Sequence, residues 1–241
     1  MSDIQAVKPL DHKALYKLIA DEIIHFHWKP GELVTEKTLC DRYGVPRTQI
    51  HSVLQHLQDH HLLTVVPHRG SVVSKLDMNV INQLIYERLA VETMVLRDFI
   101  AQRTDEDKQT VQALFDTMRK SIERYHTAGF DAEAFLTADR AMHSYWFHRM
   151  RCDMLWDQLS RTQASHTRFV MLDINAGDNA ETVVSEHGEM VKLIKKGTSE
   201  GLEDLLRRHL YGCVKRIGPM AYTTLQSYFE PITEDMNTPR A

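Results

Sequence analysis

Apolar residues fall at helical spacing from the start of the chain. Leu15, Leu18, Ile19, Ile23 and Phe26 lie along one stripe and predict an amphipathic helix of about four turns. Pro30-Gly31 ends that segment. Thr35 suits the N-cap of a short helix reaching Tyr43, and Gly44 suits its stop. Pro46 fits the first turn of a further helix, running to about His60, that turns Ile50, Val53, Leu54 and Leu57 to one side. Two short helices around a tight Gly-containing turn make a helix-turn-helix. The period then changes. Leu63–Val66 and Ser71–Ser74 are β-branched runs flanking Pro67-His68-Arg69-Gly70, which predicts a hairpin. A hairpin placed directly after a recognition helix is a wing.

Beyond Asp77 no segment reads convincingly as a strand, and six helices are expected. The first covers about Met78–Arg103, with Ile81, Leu84, Ile85, Leu89 and Val95 apolar. The others run from about Thr104 to His126, Asp131 to Arg149, Asp153 into the 170s, Glu181 to Lys196, and Ser199 past Ile217. Short connections between long amphipathic helices predict an antiparallel all-helical bundle. The fold class is therefore mainly α. Residues 1–76 are expected to form a winged helix-turn-helix, 77–231 a helical domain and 232–241 a frayed tail.

Composition narrows the setting. No run approaches the roughly 20 apolar residues of a membrane span, and no secretory signal is visible at the start. Cys40, Cys152 and Cys213 are odd in number and far apart, which argues against a disulfide frame and for a reducing compartment, the cytoplasm by default. The net charge of −4 does not advertise nucleic-acid binding. Residues 1–76, however, hold nine Lys/Arg against eight Asp/Glu, and eight of the 14 histidines. The remainder is acidic. That asymmetry has the sign expected of an N-terminal DNA module.

Two sets of residues carry candidate chemistry. Arg47, Thr48, Gln49 and His51 open the recognition helix, whose first turns face the floor of the major groove. Arg forks onto guanine, Gln onto adenine, and Thr meets a thymine methyl or a phosphate. Lys37 is placed to hold a phosphate. His68, Arg69 and Gly70 form a narrow basic tip suited to a minor groove. A single exposed Arg is more often a solvated charge, so the weight rests on the helix–turn–helix–hairpin series. In the second half, Asp139 and His143 share a helix face with Phe135, Met142 and Trp146. His187 and His209 also lie on apolar stripes. His187 precedes Gly197 by ten residues and His209 follows it by twelve, so a helical hairpin puts them at similar heights. Three imidazoles and a carboxylate suit Zn²⁺, Ni²⁺ or a similar divalent cation. From spacing alone, a lone inward histidine is more often a satisfied core residue than a ligand. Cys213, one turn past His209, is a soft ligand or a small core residue.

The segment PGELVTEKTLCDRYGVPRTQIHSVLQHLQDHHLLTVVPHRGSVV resembles the N-terminal domain of the GntR family of regulators. That family reads PG-x-x-L-x-E-x-x-L-A, then G-V-S-R-T-P-V-R-E-A-L, then a wing ending in R-G. Here Pro46 replaces the usual Ser, Gln49 the usual Pro and Ser52 the usual Glu. His51 stands where a second DNA-contacting Arg is usual, so a pH-dependent contact is expected there. His61 stands where a Gly often precedes the wing.

Residues 78–218 resemble the FCD ligand-binding domain of the FadR branch. The resemblance is carried by Tyr86-Glu87-Arg88-Leu89-Ala90-Val91-Glu92, Asp139-Arg140-Ala141-Met142-His143, Glu186-His187 and Arg208-His209-Leu210. Arg151-Cys152 departs from a usual Gly-Asn pair. The resemblance implies that Asp139, His143, His187 and His209 bind a cation whose sphere a ligand carboxylate completes. Arg88 and Arg168 are then the candidates for gripping that carboxylate, with a surface or salt-bridge role as the alternative for each. The expected function is a homodimeric repressor on double-stranded operator DNA, responding to a small carboxylate effector. A metal-dependent hydrolase and a regulator answering to the metal itself are the rival readings.

Overall fold

A computed structural model describes residues 10–123, 127, 130–162, 164–176 and 179–231. The expected tail at 232–241 and the expected end of the second long helix at 124–126 lie outside them.

The chain divides after Met78 and again after Thr224 into two compact units. The first begins with α1 (His12–Ile24), whose N-cap Asp11 accepts the Ala14 N–H at 2.7 Å. Leu15, Ile19 and Ile23 are buried, whereas Leu18 is 42% exposed. β1 (Leu33–Val34) leads to α2 (Glu36–Tyr43), capped by Thr35 and ended by left-handed Gly44. Pro46 is the N-cap of α3 (Arg47–Asp59), which buries Ile50, Val53, Leu54 and Leu57. The wing is β2 (Leu63–Val66) and β3 (Gly70–Val73), in register Leu63↔Val73 to Val66↔Gly70.

The sheet has three antiparallel strands in the order β1-β3-β2, not the expected two. The additional strand is two residues long, too short to show a period, and pairs Leu33↔Val72. Gly70 is required at that junction. Its φ is +123°, and a Cβ there would lie 2.9 Å from the Val34 carbonyl oxygen. Residues Leu225–Pro231 also belong to this unit, where the sequence assigned them to the helical domain. The Leu76 N–H donates to the Tyr228 carbonyl and the Glu230 N–H to the Leu76 carbonyl, both at 2.9 Å. Phe229 is buried, and Tyr228 stacks on Phe26 with ring centroids 5.6 Å apart.

The second unit contains α4 (Met78–Gln102), whose first residue lies at the division, and α5 (Asp105–Ser121), α6 (Ala132–Arg149), α9 (Ala180–Lys196) and α10 (Leu202–Ala221). The expected helix from Asp153 into the 170s is described as α7 (Asp153–Thr162) and α8 (Ala164–Ala176), on either side of residue 163. Phe99, Phe135, Trp146, Phe147, Phe169, Met190, Leu206 and Ile217 fill the core between the helices. No described helix is long and apolar enough to cross a membrane.

The helix ends are informative. α1, α3 and α6 each close in a paired 6→1 and 5→2 hydrogen-bond turn: His27→Glu22 with Phe26→Ile23, Leu62→Leu57 with His61→Gln58, and Cys152→Phe147 with Arg151→His148. The left-handed residue in each is not glycine. Phe26, His61 and Arg151 have φ of 60°, 57° and 57°. Arg151 is exposed. Arg151→Gly should therefore remove a left-handed penalty of about 1 kcal/mol with no lost packing. Thermal unfolding should show a melting temperature higher by roughly 2–4 °C; an unchanged or lower value would contradict this account of the α6 terminus.

The start of α5 holds a buried carboxylate. Thr104 and Asp107 form a reciprocal capping box. Asp107 also accepts from Tyr145 Oη at 2.8 Å and from Arg149 Nε at 2.6 Å. The hydrogen bond from Arg149 leads the causes that hold the Asp107 carboxyl well below the usual range. Its folded-state pKa is thus depressed. Its stabilisation is complete above the unfolded value of about 4 and fades as pH falls below it. Asp107→Asn should cost about 1–3 kcal/mol at pH 7. In denaturant titrations the deficit should shrink between pH 4 and pH 2, and a deficit constant over that range would show that the charge is not responsible.

Candidate metal and ligand site, and nucleic-acid face

Capping by Asp131, which accepts the Ala134 N–H at 3.0 Å, fixes where α6 begins. Asp139 and His143 follow one turn apart on its inward face, beside buried Phe135, Met142 and Trp146. α9 contributes His187, and α10, beyond the Gly197 turn, contributes His209. One ligating atom from each of these four residues lies within 4.8 Å of the others. The structure thus brings together the four residues singled out from the sequence. Cys213 is not in the cluster; its Sγ donates to the Leu210 carbonyl at 3.2 Å.

The outward nitrogens decide what the inward ones offer. His143 Nδ1 donates to Glu92 Oε2 at 2.6 Å. His187 Nδ1 donates to the Val183 carbonyl at 2.8 Å. His209 Nδ1 donates to Glu186 Oε2 at 2.9 Å. With Nδ1 donating outward in each ring, Nε2 is the nitrogen left to face a cation. The Nε2 atoms of His143 and His187 are 3.0 Å apart, and Asp139 Oδ1 is 3.3 Å from the latter. Burial pushes the His187 ring down to about 3, so it is neutral. Facing lone pairs beside a carboxylate form an electron-rich centre that a cation satisfies.

Glu92 is fully buried on α4 and joins this centre to Arg88 one turn earlier, whose Nε donates to its Oε1. Burial opposes ionisation of Glu92, but Arg88 and His143 outweigh it and hold the carboxyl below its usual range. Burial opposes ionisation of Asp139 as well, yet its carboxyl is lowered, with the nearby Arg88 charge among the causes. Glu92 and Glu186 stand in the motifs that carry the resemblance, but the sequence assigns no role to either. Their role as acceptors that fix the imidazole tautomers comes from tertiary packing.

A cavity of about 40 Å³ adjoins the cluster. Asp139, His209, Arg88 and His166 line it, and the Arg216–Asp173 ion pair stands along its wall. Among the described residues, Arg88 Nη2 and His166 Nε2 are buried without a hydrogen-bond partner. Arg168, expected here from the sequence, is corrected. It is fully buried but is not among the residues lining this cavity. His166, Val170 and Asp173 form the lining stripe of α8, and a residue two positions from His166 points roughly 200° away from it. Sequence reasoning missed His166 because its neighbours at helical spacing on the N-terminal side, Thr162 and Gln163, are polar, so no apolar stripe marked it as inward-facing.

In the first unit, a groove of about 820 Å³ runs between α3 and the wing. Lys37, Arg47, His51, His68, Arg69 and Gly70 all line it. Glu36 lies among them, accepting from Arg47 Nε and, at 2.9 Å, from His51 Nδ1. Hydrogen bonds from His51 and then Arg47 lower the Glu36 carboxyl. Two sequence expectations fail here. Gln49 Nε2 donates to the Leu10 carbonyl at 2.7 Å, which turns its amide away from the groove. Thr48 is exposed but does not line the groove.

Comparison with known proteins agrees with both halves. Residues 12–73 match the family described as bacterial regulatory proteins, gntR family, and residues 83–212 match the FCD domain. An uncharacterized HTH-type transcriptional regulator YdfH of Escherichia coli O6:H1 is 22% identical over 202 residues, 84% of this chain and 86% of that protein. The HTH-type transcriptional repressor RspR of Escherichia coli K12 is 21% identical over 209 residues, covering 87% and 89%. Among solved structures, E. coli McbR/YncC superposes with a TM-score of 0.70 at 16% identity, over 87% of this chain and 97% of that one. This likeness is one of fold.

Proposed function

The chain belongs to the gntR family of bacterial regulatory proteins and carries an FCD domain, and from that premise we propose that it is a homodimeric repressor whose operator affinity is set by a small carboxylate bound at a divalent metal. The family's members are DNA-binding transcriptional regulators rather than enzymes. The observation that carries the finer reading is the convergence of three Nε2 lone pairs and Asp139, each imidazole fixed by an acceptor behind it. Zn²⁺ and Ni²⁺ suit that donor set.

Such a cation supplies a positive charge to which a carboxylate oxygen is drawn. The chain's own residues do the rest. Asp139 offsets part of the cation's charge. Glu92 holds the His143 ring in place and links it to Arg88, whose free Nη2 faces the cavity and suits the other carboxylate oxygen. The cavity with its unpartnered guanidinium nitrogen favours an organic effector over the metal alone as signal. A dimer presents two α3 helices to a roughly palindromic operator. Effector binding changes the packing of α4, α6, α9 and α10, which carry the gripping residues. Coupling of about 1–3 kcal/mol is the usual scale for such a change. Repression is supported by the likeness to RspR, a transcriptional repressor.

On DNA, Arg47 reads a base edge and Lys37 and Arg69 hold the backbone. Arg47→Ala should cost about 1–3 kcal/mol and relax preference at one base position. Lys37→Ala should weaken all sequences alike and reduce the salt slope by about 1. Fluorescence anisotropy on duplexes selected from a random pool checks both. Unchanged affinity and selectivity in Arg47→Ala would remove α3 as the reader.

The metal binds only the folded sensing unit and so stabilises it by mass action, about 2.7 kcal/mol at a hundredfold excess over Kd. Chelation should lower the melting temperature of untagged protein. His187→Ala should abolish both metal content and the chelator response, while DNA binding by the separately cored head persists. Elemental analysis with calorimetry measures this. Negligible metal in the wild type together with unchanged melting in chelator would return these four residues to the core.

A further inference from the structure

Among the described residues lining the cavity, two buried side-chain nitrogens lack a hydrogen-bond partner, Arg88 Nη2 and His166 Nε2. Asp139 and His209 belong to the cation cluster, and Asp173 is occupied by Arg216 and by Asn179 Nδ2 at 2.7 Å. Arg88 Nη2 is matched to an effector carboxylate. His166 Nε2 remains. The residue is only 3% exposed, it lines the cavity, and its Nε2 has no hydrogen-bond partner. A buried polar atom without a partner is costly, and in native proteins it marks a water, an ion or a ligand.

We infer that His166 is a specificity-determining residue of this pocket, binding an oxygen of the effector other than its carboxylate. The inference rests on the reading of the cavity as an effector site beside a cation. The cation and Arg88 are matched to the two oxygens of a carboxylate. His166 reaches the cavity from α8, an element that supplies neither the cation ligands nor Arg88. It therefore serves a third oxygen. The cavity of about 40 Å³ has room for about three water-sized groups. The effector end that enters it is correspondingly a carboxylate with one further oxygen on the adjacent carbon. Burial first, and then the nearby Arg88 charge, push His166 down to about 3. Its ring is therefore neutral and meets a neutral group, a hydroxyl or a carbonyl, rather than a second anion. The remaining lining, including Phe135, Leu136 and Val170, is apolar.

This assigns a discrimination to one side chain. An acid lacking the third oxygen leaves His166 unpaired, and sites built to hydrogen-bond such a group reject the analogue that lacks it.

The test uses full-length protein loaded with zinc and a matched pair of probes, lactate and propionate, which differ by one hydroxyl. Binding is read by titration calorimetry. Wild type should prefer lactate by about tenfold or more. Because a hydroxyl also chelates zinc, the decisive arm is His166→Leu. It should lower lactate affinity about tenfold while leaving propionate affinity and zinc content unchanged. His166→Asn, which keeps a donor and an acceptor, should recover part of the lactate affinity and guards against misfolding of the leucine variant. Lactate affinity that is indifferent to His166, or an equal fall for both acids, overturns the inference. If both acids then still require zinc and Arg88, the effector reading stands without it. If zinc-loaded wild type binds neither acid, both fail together.

Discussion

Glu92 is a carboxylate in the dry centre of a helical bundle, and the sensing unit is organised around keeping it charged. An isolated buried carboxylate is strongly disfavoured. Arg88, one turn away on the same helix, neutralises one oxygen; His143, from α6, donates to the other. That second bond has a chemical consequence. By accepting the Nδ1–H hydrogen bond, Glu92 obliges His143 to turn Nε2 toward His187 and Asp139. The Val183 carbonyl and Glu186 do the same for the other two rings. The donor set thus depends on acceptors that never touch the cluster's centre. Removing Glu92 would strand Arg88 in the interior and free the His143 ring to change tautomer.

The head shows a parallel arrangement at the surface. Glu36 gathers Arg47 and His51 in the groove, so on the proposed reading a phosphate or base edge would have to replace this carboxylate. Exposed pairs of this kind contribute little stability. What Glu36 supplies is orientation, on a helix where Gln49 has already turned the other way.

The sequence made some of this legible. Helical stripes located all the long helices, because burial of one face leaves a period in the residue types. Asp139, His143, His187 and His209 were identifiable because each sits on an otherwise apolar stripe. The remainder depended on contacts between distant segments. β1 is too short to carry a period and exists because Val72 is there to pair with it. Arg168 and His166 are indistinguishable in sequence as buried polar residues of one helix, and only the rotation of α8 separates them. The non-glycine left-handed residues His61 and Arg151 fall where glycine is usual in the resembling families. That departure was visible, but the backbone conformation behind it was not.

The pairing of Leu76 with Tyr228 and Glu230 makes the first unit a structure whose two pieces lie on either side of the helical unit in chain order. Domains ordinarily fold as they leave the ribosome, N-terminal first. Here α1–α3 and the wing emerge early, but Phe229 and Tyr228 reach them only after the whole sensing unit has been made. A nascent chain therefore carries a head that still lacks its closing contact with Phe26. An abrupt stop anywhere in the sensing unit yields a fragment without it. Completion of the first unit is in this way tied to synthesis of the whole helical unit, through chain order alone.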